Sequence, residues 1–207
     1  MPFYRIIKCC LFFFLWFNTA FSQNYPGKNY TSSDQLPNNA VRSLLVDSNH
    51  VLWIGTDNGV VRKENDEFKY YFEEDGLSLN SCWAIEEDKN NKLWFGSYGG
   101  GISIFDGTNF KVISEEDGLV HDEITELFSK RDHMYVGTSN GVSIINVNTL
   151  EVFCLDLPAQ EELFRIQDFF EYREEIYVAT YSSGVFKISF QNGKPSLIKK
   201  NDHRFIY

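Results

Sequence analysis

Trp53-Ile54-Gly55-Thr56, Trp94-Phe95-Gly96-Ser97, Tyr135-Val136-Gly137-Thr138 and Tyr177-Val178-Ala179-Thr180 share one pattern: an aromatic residue, an apolar residue, a small residue and a hydroxyl. Their aromatic positions stand 41, 41 and 42 residues apart. A fixed period of roughly 40 to 45 residues made of short strands is the signature of stacked four-stranded units, the blades of a β-propeller. The period extends beyond the motif. Val41, Cys82, Ile124 and Ile166 share one phase, Leu44, Ile85, Leu127 and Phe169 a second, and Leu36, Leu77 and Leu119 a third. Lys69 to Leu77 (KYYFEEDGL) returns as Lys111 to Leu119 (KVISEEDGL), and Lys28 to Leu36 (KNYTSSDQL) is a degenerate earlier copy.

Turn residues divide each repeat into strands A to D. In the first repeat A covers about 40–46, B about 51–56, C runs to about Glu64 and D covers about 67–72. They are separated by Asp47-Ser48-Asn49-His50, Asp57-Asn58-Gly59 and the stretch before Glu67. Asn, Asp and Gly accept the tight turns and positive φ of antiparallel hairpins. No stretch shows sustained helical periodicity, so the expectation is an all-β fold with four recognisable blades of 41–42 residues over 36–207. Residues 28–32 have the phase of an outer strand D with no A, B or C before it. The lead-in 23–35 is therefore expected to carry a closing strand, and the chain to be the front part of a larger propeller. The open edges of such an arc invite association, a homodimer included.

The chain is 43% apolar and 16% aromatic, enough to bury a core, and carries a formal charge of −10. Arg5 and Lys8 precede an apolar run from Cys9 to Phe17, and Ala20-Phe21-Ser22 supplies small residues before Gln23. This predicts a cleaved signal peptide over 1–22, and nine apolar residues are too few to span a bilayer. An acidic exported domain is a poor partner for nucleic acid or anionic lipid. The four histidines, and the two cysteines left after cleavage, lack metal-ligand spacing, and nothing asks for a cofactor. Cys82 has the phase of a buried apolar residue.

The segments LPNNAVRSLLVDSNHVLWIGTDNGVVR (36–62) and GLSLNSCWAIEEDKNNKLWFGSYGGGISIFDG (76–107) resemble the two-component regulator propeller repeat. The resemblance fades in the fourth repeat, where Ala179 replaces the Gly and no Asp-Gly-Leu triplet precedes strand A. It implies a periplasmic sensor propeller whose longer relatives continue into a membrane helix and a histidine kinase, and whose ligands are often carbohydrate breakdown products. The kinase motifs themselves are not in this sequence.

Three classes of function follow: a non-catalytic ligand sensor, a propeller enzyme of the lyase or glycosidase kind, and an interaction scaffold. An enzyme needs a convergent acid and base, and His121-Asp122-Glu123 is the one cluster that invites such a reading. For a sensor, the D–A and B–C loops open on one face of a propeller. They offer Asn39, Asp57, Asn58, Asn80, Tyr98, His121, Asp122, Asn140 and Tyr181, with Arg42 and Trp83 at the start of strand A facing the mouth. Amide, carboxylate and aromatic groups suit an oligosaccharide or another small molecule. Trp83 stands out because its repeat equivalents Arg42, Thr125 and Gln167 are polar.

Overall fold

The computed structural model describes residues 27–155, 164–191 and 194–199; the expected signal peptide lies outside them. Among the described residues, sixteen strands form four antiparallel sheets, each in simple sequence order. Blade 1 comprises β1 (Val41–Val46), β2 (Leu52–Thr56), β3 (Gly59–Glu64) and β4 (Glu67–Tyr71). Blade 2 comprises β5 (Cys82–Glu87), β6 (Leu93–Ser97), β7 (Ile102–Phe105) and β8 (Phe110–Ile113). Blade 3 comprises β9 (Ile124–Lys130), β10 (His133–Thr138), β11 (Gly141–Asn146) and β12 (Val152–Cys154). Blade 4 comprises β13 (Ile166–Tyr172), β14 (Glu175–Thr180), β15 (Val185–Gln191) and β16 (Lys194–Lys199). The first strands β1, β5, β9 and β13 lie side by side in sequence order, which places strand A innermost.

The core sits between blades. One apolar cluster joins Trp53, Val60 and Tyr71 to Cys82, Ile85 and Phe95; a second joins Trp94 and Ile102 to Leu127 and Met134; a third joins Tyr135 and Ile144 to Phe169 and Val178. Each position of the repeated motif has its own task in this stacking. The small residue lets the next blade approach: a Cβ on Gly96 would stand 2.5 Å from Ile124 Cγ2, and one on Gly137 would stand 2.6 Å from Ile166 Cγ2. The hydroxyl closes the B–C turn, donating from Thr56 to the Gly59 carbonyl at 2.9 Å, with the same bond from Ser97 to Gly101, Thr138 to Gly141 and Thr180 to Gly184. The aromatic residue fills the wedge between blades, and in the first two repeats its indole N–H is taken by a buried carboxylate. Trp53 Nε1 donates to Asp47 Oδ2 and Trp94 Nε1 to Asp88 Oδ2, each at 2.9 Å.

Two expectations about the edges meet the structure differently. Residues 27–31 form no strand; the chain turns instead, with the amides of Asp34, Gln35 and Leu36 donating to the Thr31 carbonyl. An outer strand needs a strand C beside it, and none is formed by described residues before β1. The opposite edge carries the expected fourth strand, since β16 pairs along β15 and completes blade 4. The fourth blade does not cover the first. Leu44 is 64% exposed, whereas Ile85, Leu127 and Phe169 at the same phase are 7%, 3% and 4% exposed because a preceding blade lies on them. Val41 and Val46 share this open face.

Candidate functional site

The first strand of every blade begins with a β-bulge. Pairing jumps from Val41 to Ser43, from Cys82 to Ala84, from Ile124 to Glu126 and from Ile166 to Asp168. The residues passed over are Arg42, Trp83, Thr125 and Gln167. A bulge re-aims the side chain of its extra residue, and here four such side chains border one cleft. That cleft, of about 360 Å³, is also lined by Val41, Glu126, Arg165 and Ile166.

An aromatic platform stands at this mouth. Trp83 and Tyr98 stack with ring centroids 4.5 Å apart and planes 23° apart, and Trp83 Nε1 donates to Ser81 Oγ at 3.0 Å. The Arg42 guanidinium lies 4.7 Å from the Trp83 ring centroid and grips Asp57 through two bonds of 2.7 Å. That grip raises the Arg42 pKa and holds the Asp57 carboxyl below its ordinary value. Arg42, Asp57, Trp83 and Tyr98, chosen from sequence, are thus brought together.

The remaining expected residues divide by what their side chains already hold. The loops themselves converge as expected: Gly59 N donates to the Asn80 carbonyl, Gly99 and Gly101 N to that of Asp122, and Ser139 N to that of Glu123. Asn39, Asn80 and Asp122 are equivalent in the repeat, and their side-chain oxygens accept from the amides of Ser32, Glu73 and Glu115 at 2.7, 2.9 and 2.7 Å. They lock each D–A loop onto the turn before it. His121 Nδ1 accepts from Glu123 N at 3.0 Å and faces Ser139 Oγ at 3.2 Å, so the His121-Asp122-Glu123 cluster is tied internally. Asn58 and Asn140 donate their amides to the motif hydroxyls and leave their side chains exposed, as does Tyr181, whose amide donates to the Arg165 carbonyl. Among the described residues no cluster of His, Cys, Asp or Glu could hold a metal ion. Cys82 and Cys154 are both free, and burial pushes the Cys82 thiol up to about 12.

Two residues of the mouth escaped sequence reasoning. Arg165 is flanked by the buried Phe164 and Ile166, so its interruption of an apolar pair was the available signal. Glu126 follows the bulge of blade 3, where blades 1 and 2 carry the uncharged Ser43 and Ala84 and blade 4 carries Asp168, so an acid recurring in the last two repeats was the available signal. Burial, reinforced by Asp168 and Glu86, pushes its carboxyl from the ordinary 4.5 to about 7. Because the folded value is the higher one, the stability this group contributes is complete below its ordinary value and is lost as pH rises through about 7. Glu126→Gln is therefore expected to flatten the decline of melting temperature between about pH 5 and pH 8. At the upper value it should stabilise by about 1–2 kcal/mol, after allowance for partial access to water. Thermal unfolding of both proteins at the two pH values checks this; parallel declines would remove the assignment.

Residues 35–58 and 76–99 match the two-component regulator propeller family. Among solved structures, the chain is similar to the extracellular domain of the putative hybrid two component system BT3049 from B. thetaiotaomicron, with a TM-score of 0.69 at 17% identity over 84% of this chain and 26% of that one. It is similar to the extracellular domain of the putative one component system BT4673 of the same organism, with a TM-score of 0.65 at 20% identity over 84% of this chain and 26% of that one. A catalytically inactive virginiamycin B lyase from Staphylococcus aureus aligns with a TM-score of 0.62 at 16% identity, over 86% of this chain and 62% of that one. At these identities the likeness shows the propeller fold. The chain spans about a quarter of the two extracellular domains. No curated protein has a matching sequence. No helix among the described residues is long and apolar enough to cross a membrane.

Proposed function

We propose that this chain, which carries two-component regulator propeller repeats, is the non-catalytic ligand-binding part of a periplasmic sensor. Its ligand is a small molecule or oligosaccharide taken at the central mouth, and its signal passes to kinase-bearing segments of a longer chain. The observation that carries this reading is the bulge at one repeat position in all four blades. Packing alone asks for an apolar residue in every repeat, as at Ile85, Leu127 and Phe169. At the bulge the residues are instead Arg, Trp, Thr and Gln, which differ in chemistry and share a cleft. A stacked Trp–Tyr pair beside hydrogen-bonding groups matches a sugar, whose C–H face lies on rings while its hydroxyls take polar partners. Export by the expected signal peptide, and the extracellular origin of the similar domains, support the location.

The test is calorimetric titration with oligosaccharide fractions, comparing the chain with Trp83→Ala and Tyr98→Ala. Each variant is expected to bind at least about tenfold more weakly, close to 1.4 kcal/mol. Unchanged affinity in both variants, with the fold intact, would remove this mouth from consideration.

A further inference from the structure

Two arginines flank the aromatic platform, and they are in different states. The Arg42 guanidinium is committed to Asp57. Arg165 places its guanidinium carbon 6.0 Å from the Trp83 ring centroid and 5.9 Å from that of Tyr98, nearly equidistant from both. Its Nε is buried and has no hydrogen-bond partner among the described residues. Arginine stays charged at any physiological pH, and contact with ring faces satisfies none of its N–H donors. An N–H sealed from water without an acceptor is costly to keep. Thr125, on the lining of the same cleft, holds a hydroxyl that is likewise buried and without a partner among the described residues. The nearby acids are engaged elsewhere: Asp57 is taken by Arg42, and Glu126 Oε1 accepts from the Leu127 amide at 3.2 Å.

We infer that the mouth is built for an acidic sugar, whose carboxylate or sulfate is taken by the Arg165 guanidinium while its ring lies on Trp83 and Tyr98. Two oxygens of a carboxylate or of a sulfate match the guanidinium fork with two parallel bonds. Hydroxyls of the same ligand face Thr125 and Gln167 across the cleft. This rests on the sensing role proposed above and adds the charge of the ligand to it. The net charge of −10 repels anions at long range, so the recognition is local to Arg165.

Three probes separate the possibilities: tri-galacturonate, its full methyl ester, and a singly sulfated neutral trisaccharide. Calorimetry is expected to show one of the two anionic probes binding about 10- to 100-fold more tightly than the ester, the range of one charge-assisted pairing. Which anionic probe wins identifies carboxylate or sulfate as the recognised group. Arg165→Gln should bring that ratio to about one while leaving affinity for the ester in place, and Arg165→Lys should restore part of it. Equal binding of all three probes, or a ratio that survives Arg165→Gln, overturns the inference. If the ester alone binds, and Trp83→Ala abolishes that binding, the sensing role stands and only the acidic ligand falls. If no probe binds, the acidic-sugar inference is overturned and the oligosaccharide reading loses its support as well.

Discussion

Asp88→Ala is expected to destabilise the protein by about 3 kcal/mol or more. Asp88 is almost fully buried at the turn between β5 and β6. Its Oδ1 accepts from the amides of Asn90 and Lys92 at 2.8 and 3.1 Å, while its Oδ2 accepts from Trp94 Nε1 at 2.9 Å. Truncation therefore strands three donors at once, one of them the indole of a fully buried tryptophan. Each stranded donor costs about 1–3 kcal/mol, less whatever an entering water restores. Asp88→Asn keeps one acceptor but turns an NH₂ toward a donor, so it should cost roughly half as much. The specific check is a double-mutant cycle with Trp94→Phe, which removes the indole N–H. A coupling of about 1–2 kcal/mol in urea denaturation is expected between the two sites. Additive effects would show that the carboxylate serves only its own turn.

Gly96→Ala is expected to cost about 2–3 kcal/mol, although alanine is the mildest replacement a strand glycine can receive. The added methyl would meet Ile124 Cγ2 at 2.5 Å and Ile124 Cβ at 3.0 Å. Ile124 belongs to the innermost strand of the next blade and is fully buried, so it cannot swing aside. Relief requires blades 2 and 3 to separate, which opens the cluster containing Trp94, Leu127 and Met134. Ile124→Ala in the same chain removes the opposing methyl, and the double variant should be at least about 1 kcal/mol more stable than the sum of the single effects. Ala179 in the fourth repeat is the natural contrast. It is half-buried, and Ala179→Gly is expected to cost under about 1 kcal/mol through backbone entropy alone.

These two sites also show how much of the molecule could be read in the chain. The four-residue motif located every strand B, because its aromatic and small positions are fixed by the gap between blades, which is the same gap each time. The carboxylate partner was equally legible and was missed. Asp47 and Asp88 stand six residues before Trp53 and Trp94, whereas the repeats with Tyr135 and Tyr177 have Ser129 and Glu171 there. An aspartate that comes and goes with the indole marks a pair, but its place in a turn gave it a sufficient reason to exist. The outer strand expected over 28–32 was misread because KNYTSSDQL copies the turn that follows strand D as well as the strand. Asn39 makes the turn contact to Ser32 that Asn80 makes to Glu73, so the copy folds where its partners exist and not where they do not.

The mouth was half legible. Trp83 was found by comparing repeat equivalents, since a position held by Arg, Trp, Thr and Gln is not one that packing has fixed. The bulge that turns those residues inward could not be read, because strand pairing sets it and no residue type marks it. Arg165 and Glu126 were hidden for a different reason: a charge next to core residues reads as the end of a strand until neighbouring blades close around it.

The central claim is that the bulge residues of four blades form one ligand-binding mouth. The indole N–H resonances of Trp53, Trp83 and Trp94 offer the most direct measurement, since the first and third are bonded to buried aspartates between blades and Trp83 alone stands at the mouth. On titration with acidic and neutral oligosaccharides, the Trp83 resonance is expected to shift in a saturable way while those of Trp53 and Trp94 stay in place. A saturable ligand that moves either interblade tryptophan and leaves Trp83 unmoved would contradict the account.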